Sequence, residues 1–278
     1  MKIEEIIHKA LEEDLGNGDH TSLATIPANA IGTSRLLIKD EGILAGVEIS
    51  RMVFHQVDAA LIFKGFIKDG TPVRSGDIGF EITGSVRSIL AGERLALNIM
   101  QRMSGIATQT RRIVDMLAGT KAKVLDTRKT TPLLRELEKM AVRIGGGENH
   151  RMGLYDMVMI KDNHVDFAGG IRHAIESTVN YLENNGLHLK IEIEVRNFDE
   201  LEEVLAIGQV HRIMLDNFMP ADLARAVRRI DGRFETEASG GINLQNIRQY
   251  AETGVDFISV GALTHHVHSL DMSLKAVK

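Results

Sequence analysis

The chain has 278 residues, 44% of them hydrophobic and 26% charged, the composition of an ordinary folded protein, which sets disorder aside. Its formal charge of −5 argues against a general attraction to nucleic acid or anionic membrane, so any anion site must be local. With no cysteine, disulfides, thiolate catalysis and cysteine-ligated metals are excluded.

The opening MKIEEIIHKALEEDLG sets Ile3, Ile6, Ile7, Ala10 and Leu11 at helical spacing with acids between them, which predicts an amphipathic helix and not a signal peptide. No apolar run is long enough to span a bilayer, so a cytoplasmic protein is expected. After the turn-rich GNGDHTS, short β-like runs fall near 34–39, 60–68 and 79–86, the later ones separated by the glycine turns KDG and RSGD. From Ser88 to about Leu117 the pattern turns helical, with Leu90, Leu97, Met100 and Met103 among the apolar positions and Gly105 expected to kink or break it. Residues 1–104 thus read as a small α+β domain, on which a tail at 270–278 is expected to pack, and 105–269 as a second, catalytic domain.

In that second region β-rich runs alternate with amphipathic helices: AKVLD, DMVMI, LKIEIEV, RIMLD, FETEAS and FISVG. Glu194, Asp216, Ala238 and Val260 recur at 22-residue intervals, the size of one strand-loop-helix-loop unit, which implies parallel strands in an α/β barrel. Six clear strands mean that the barrel either hides one or two weaker strands in 124–190 or is incomplete, and the open edge of an incomplete barrel calls for a cover such as a partner subunit. Catalytic side chains of such barrels sit at the C-terminal ends of strands, here DTRKT, IKDNH, EVRN, LDNF, SGG and GALTHH.

The cations between Asp126 and His164 divide in two. Thr131 and Pro132 predict the start of a helix that Gly145 ends, and Arg135, Lys139 and Arg143 form an i, i+4 stripe among glutamates, expected to be a solvated face. Arg128, Lys129, His150, Arg151 and Lys161 fall in loops or just past strand ends. Any one could pair with Asp126, Glu148 or Asp162, but five at one rim point to a multiply anionic small molecule. The triple glycine 145–147 before Glu148 supports function, because glycine allows a close loop with no packing gain.

Glu194 and Asp216 end adjacent strands and are expected to face one cavity as hard oxygen donors for Mg²⁺; the alternative pairs them with Lys190 or Arg212. Ser239-Gly240-Gly241 and the run from Gly261 to His265, each before a predicted helix, look like phosphate cradles. Arg102, in the apolar helix NIMQRMSGIAT, reads by itself as a surface arginine.

Taken together, EDLGNGDHTS, AGERLALN, QRMSGIAT, DTRKTTP, LEKMAVRIGGGENHRMGLYDMVMIKDNH, EIEV, MLDN, EASGGI and SVGALTHH resemble the quinolinate phosphoribosyltransferases, the decarboxylating nicotinate-nucleotide pyrophosphorylases, essentially end to end. The resemblance implies an open α/β sandwich followed by an incomplete, seven-stranded α/β barrel, and a homodimer with each site lined by both subunits. It further implies that Arg128, His150, Arg151 and Lys161 hold the two carboxylates of quinolinate, with Arg102 reaching in from the neighbouring subunit. Lys129, Glu194, Asp216, Ser239, Gly240, Gly261 and His265 would hold phosphoribosyl pyrophosphate and its Mg²⁺, with Glu194, Asp216 and Lys129 as the catalytic groups. One departure stands out: Leu133 occupies a glycine position of the family's TTPGLR run, and is expected to face inward from the first helical turn as a packing change. Two other functions fit parts of the pattern, a Schiff-base barrel aldolase using Lys161, and a non-catalytic or molybdenum-transport-associated homologue.

Overall fold

A computed structural model describes residues 2–277. α1 (Ile3–Leu15) buries Ile6, Ile7 and Leu11 as its pattern predicts, and α2 (His20–Thr25) begins where the Asp19 carboxylate accepts the Ser22 N–H. There follow β1 (Ile31–Ile38), β2 (Gly42–Ile43), α3 (Val47–Val57), β3 (Ile62–Gly65), β4 (Pro72–Val73), β5 (Ile78–Ser85) and the long α4 (Val86–Met116). The remainder runs β6 (Lys123–Leu125), α5 (Arg135–Ile144), β7 (Val158–Ile160), α6 (Asp162–Ala168), α7 (Ile171–Asn184), β8 (Ile191–Val195), α8 (Phe198–Ile207), β9 (Arg212–Asp216), α9 (Pro220–Ile230), β10 (Glu235–Ser239), α10 (Ile247–Ala251), β11 (Phe257–Ser259), α11 (Ala262–His265) and β12 (Met272–Ala276).

Two compact units emerge, neither continuous in sequence. One takes the chain up to Arg112, Thr130–Gly146 and everything from Leu263; the other takes Ile113–Lys129 and Gly147–Ala262. In the first, an antiparallel sheet of order β12-β1-β5-β3 places Leu36, Ile38, Phe80 and Ile82 in an apolar core. Phe63 and Phe80 pack with ring centroids 4.5 Å apart, and Phe54 meets Phe80 edge-on at 6.0 Å. β12 enters as an edge strand on β1, Leu274 opposite Leu36.

Gly105 does not end α4, which is continuous across it. A Cβ there would collide with the His268 carbonyl oxygen, so glycine serves close approach of the C-terminal segment and not a helix break. Gly145 is likewise a packing glycine: a Cβ would lie 2.5 Å from the Ala107 carbonyl oxygen and 2.6 Å from Thr110 Cβ. The expectation that the glycine run brings no packing gain therefore fails at its first member. α5 starts at Arg135, later than Thr131, and its charged stripe is not a solvated face: Arg143 is exposed, but Lys139 is wholly buried, as is Glu138 beside it. Leu133 precedes the helix, points to solvent and adopts φ 68°, so it is not an inward packing residue. The family's glycine position is one where the backbone is left-handed, and leucine adopts it with strain.

The second unit is a six-stranded, all-parallel sheet of order β6-β11-β10-β9-β8-β7, its strands lying within the six predicted runs. The seventh place is taken by a lone parallel bridge from Leu125 to Glu148. Glu194, Met214, Glu237 and Phe257 are the residues aligned across β8 to β11, so the steps are 20, 23 and 20 residues. The 22-residue interval finds the unit but not the register, and a one-residue slip changes the face a side chain points to.

Candidate active site

The strand ends of the parallel sheet do converge. A cavity of about 200 Å³ is lined by Thr127, Arg128 and Lys129 after β6, His150 and Arg151 from the loop beside it, Met159 and Lys161 at β7, Met214, Ser239 and Ser259. Six of the residues expected in the site, Arg128, Lys129, His150, Arg151, Lys161 and Ser239, thus share one wall-to-wall space. The two methionines, Thr127 and Ser259 were not anticipated; they supply the apolar and small surface that a flat ring needs.

The loop carrying His150 and Arg151 is held by Asp126, which is fully buried at the end of β6. Its Oδ1 accepts the His150 N–H at 2.9 Å and its Oδ2 accepts from Asn149 Nδ2. Glu148 N–H donates to the Val124 carbonyl at 2.9 Å, so the loop runs as an extra edge strand. Asp126 therefore binds the loop's backbone, whereas Glu148 pairs with Lys123 at 2.7 Å. Arg151 Nη1 donates to the Met157 carbonyl at 3.1 Å. Burial, and then the neighbouring charge of Arg128, hold the Arg151 pKa below its ordinary value. Two guanidinium groups repelling each other at a cavity wall are relieved by an anion placed between them.

Lys161 caps the start of α6, where its N–H donates to His164 Nδ1 at 2.9 Å, and its Nζ reaches Glu194 Oε2 at 2.8 Å. The pairing of Glu194 with Lys190 or Arg212 is not found; Lys190 meets Glu235, and Arg212 meets Glu235 and Glu237. Asp216 closes β9 in register with Ser239 and accepts from Asn217 Nδ2 at 2.6 Å. Gly240 has φ 96°, and a Cβ on it would strike the Asn217 side chain, so this glycine is demanded by the turn itself. Neither predicted cradle opens a long helix: α10 starts only at Ile247, and α11 is a single turn ending at His265. Gly261 lies in the second unit. Arg102 and His265 belong to the first. There Arg102 donates to buried Glu138 through Nε and Nη2, at 2.9 and 2.6 Å, and to Thr131 Oγ1 at 2.7 Å.

Beneath the cavity lies a charged cluster that the sequence reading missed. Glu192, Arg212, Glu237 and Ser259 project inward from β8 to β11, and His150 Nε2 stands 3.0 Å from Glu192 Oε2 and 3.5 Å from Glu237 Oε2. Burial opposes a charge on His150 while the Glu192 and Glu237 carboxylates pull its pKa up, but the Arg151 N–H donating to Nδ1 leaves no place for a second ring proton, so the ring here is neutral with its proton on Nε2. The same burial, with Glu237 adding to it, raises Glu192 to about 7. Burial also works against the Glu237 charge, yet His150, Ser259 and Arg212 bring its pKa below the ordinary value. The donors would suit a metal, and they are the one such group among the described residues, but Arg212 and Ser259 already occupy Glu237. The available signal was the alternation IEIEV and ETEAS, acids on every second residue of strands otherwise buried on both faces.

Residues 19–104 match the N-terminal domain, and 106–275 the C-terminal domain, of a family model described as quinolinate phosphoribosyl transferase. The chain is 45% identical over 288 aligned residues to the mitochondrial quinolinate phosphoribosyltransferase [decarboxylating] 2 of Nicotiana glauca, covering 98% of this chain and 82% of that protein. It is 40% identical over 274 residues to a probable nicotinate-nucleotide pyrophosphorylase [carboxylating] of Bacillus subtilis, covering 99% and 93%. The crystal structure of NadC from Streptococcus pyogenes superposes with a TM-score of 0.93 at 40% identity, covering 99% of this chain and 97% of that one. Matched by the models of both its domains, this chain belongs to the quinolinate phosphoribosyltransferase family.

Proposed function

We propose that the chain transfers the phosphoribosyl group of phosphoribosyl pyrophosphate to quinolinate, releasing pyrophosphate and CO₂ and forming nicotinate mononucleotide for NAD biosynthesis. The observation that carries this reading is the convergence of Arg128, His150, Arg151 and Lys161 on one small cavity with methionine walls. A planar pyridine with two adjacent carboxylates complements such a space: the arginines offer planar forks, Lys161 a compact charge, and the methionines the ring surface.

The residues act by placement. Held by its carboxylates, quinolinate presents its ring nitrogen to C1 of the ribose; the nitrogen–carbon bond forms as the carbon–oxygen bond to pyrophosphate breaks. Positive charge develops at the sugar, where the Glu194 and Asp216 carboxylates stabilise it. The carbon–carbon bond to the carboxylate beside the now quaternary nitrogen then breaks, CO₂ departs, and the ring carbon takes a proton. Lys129 and Ser239, which line the same cavity, would hold the phosphoribosyl donor with Gly240, Gly261 and His265. Mg²⁺ fits the donors present, since two hard carboxylates without a nitrogen ligand suit it; Glu194 and Asp216 would hold it, and it supplies neutralising charge for the departing pyrophosphate. The reading includes a cytoplasmic homodimer with Arg102 contributed across the interface, its Glu138 partner setting the guanidinium's direction. An aldolase would need a neutral amine at Lys161, which here is the ion-pair partner of Glu194.

The test is an assay of quinolinate, nicotinate and nicotinamide, each with phosphoribosyl pyrophosphate and Mg²⁺. Nicotinate mononucleotide and CO₂ from quinolinate alone are expected. Turnover of nicotinate in its place overturns the reading, and binding of quinolinate without CO₂ release identifies a carrier or sensor.

A further inference from the structure

The Glu192, Arg212 and Glu237 side chains under the cavity have no part in the chemistry just described. Glu192 and Glu237 are fully buried, and an apolar pair of similar volume would hold a barrel core as well or better. Their partners are unequal. Glu237 is satisfied by Arg212 Nη1 at 2.9 Å and by Ser259 Oγ. Arg212 turns its Nε and Nη2 to Glu235. Glu192 is left with one polar neighbour within ion-pair distance, His150 Nε2.

The other side of the imidazole is equally committed: His150 Nδ1 accepts the Arg151 N–H at 2.7 Å. An acceptor at Nδ1 places the ring proton on Nε2, pointing at the carboxylates. A line of contacts therefore runs from the sheet interior, through one imidazole ring, to the backbone of the arginine that lines the cavity.

We propose that Glu192 and Glu237 are positioning residues for the dicarboxylate: they fix the His150 ring, and through it Arg151, in the orientation that receives the substrate. This rests on the reading of the cavity as the quinolinate site. It assigns a role to two glutamates that touch neither substrate. It also explains why acids stand at alternate positions of two buried strands: the site needs a rigid ring beneath it, and a ring with Nδ1 in a hydrogen bond and Nε2 3.0 and 3.5 Å from two buried carboxylates has one orientation.

The test combines two variants with a measurement on the unaltered protein. Glu192→Gln and Glu237→Gln should each raise the KM and Kd for quinolinate about tenfold or more, the scale of one misplaced charge-assisted hydrogen bond, with the KM for phosphoribosyl pyrophosphate changed less than about twofold. In a double variant with His150→Gln the two losses should not multiply, since they act through the same ring. Glu192→Asp, which keeps the carboxylate, should recover part of the affinity. If neither single variant folds, ¹⁵N NMR of the histidines in the unaltered protein decides. A His150 ring with a slowly exchanging Nε2 proton and an acceptor-type Nδ1 is expected; a ring averaging its tautomers overturns the proposal. Unchanged quinolinate affinity in both variants also overturns it, whereas an unaltered protein that fails to bind quinolinate overturns the reading of the cavity instead.

Discussion

The two sheets of this protein bury opposite things. The antiparallel sheet of the first unit presents Leu36, Ile38, Phe80 and Ile82 to a core of phenylalanine rings. The parallel sheet of the second keeps Glu192, Arg212 and Glu237 on its inner face, where each desolvated charge is costly unless paired. The first sheet has only to hold. The second carries a cationic cavity, and its interior is organised around that load, so damage to one should appear as lost stability and damage to the other as lost binding.

Arg151→Ala should separate these most sharply: removing a guanidinium fork from the cavity is expected to lower kcat/KM for quinolinate by roughly 10³, two charge-assisted hydrogen bonds at about 2 kcal/mol each. Steady-state kinetics beside a thermal melt checks it, and a melt that collapses with the rate would blur the distinction. Phe80→Ala should do the reverse, costing about 3–5 kcal/mol in denaturant unfolding while the folded fraction keeps its KM values. The smallest change is expected from Leu133→Gly, a gain of about 1 kcal/mol from relieving the left-handed backbone, measured by chemical denaturation; a loss would mean that the leucine side chain is needed.

Much of the fold was legible because the six β-rich runs are short and apolar and the connections between them helical, and the strands fall inside those runs. The cavity cations were legible too, since charges placed just beyond strand ends have few structural uses. What escaped was whatever depends on a distant partner. Gly105 looks like a helix breaker until His268 is seen against it. Lys139 fits a surface stripe by spacing, and only its burial shows otherwise. Leu133 looks inward-facing until its φ is known. Asp126 and Glu192 read as ordinary strand acids, because local spacing cannot tell that one ties down a backbone loop and the other an imidazole.

The pairing of β12 with β1 bears on how the protein is made. Ser34 to Ile38 cannot acquire its second neighbour until Met272 to Ala276 has been translated, and closing so long a loop is entropically slow. A nascent chain would therefore carry an unfinished sheet edge while the whole parallel unit emerges from the ribosome, and an unpaired edge invites the wrong strand. Translation of Met272 to Ala276, and not of Ile31 to Ser85, is the step after which this sheet can be sealed.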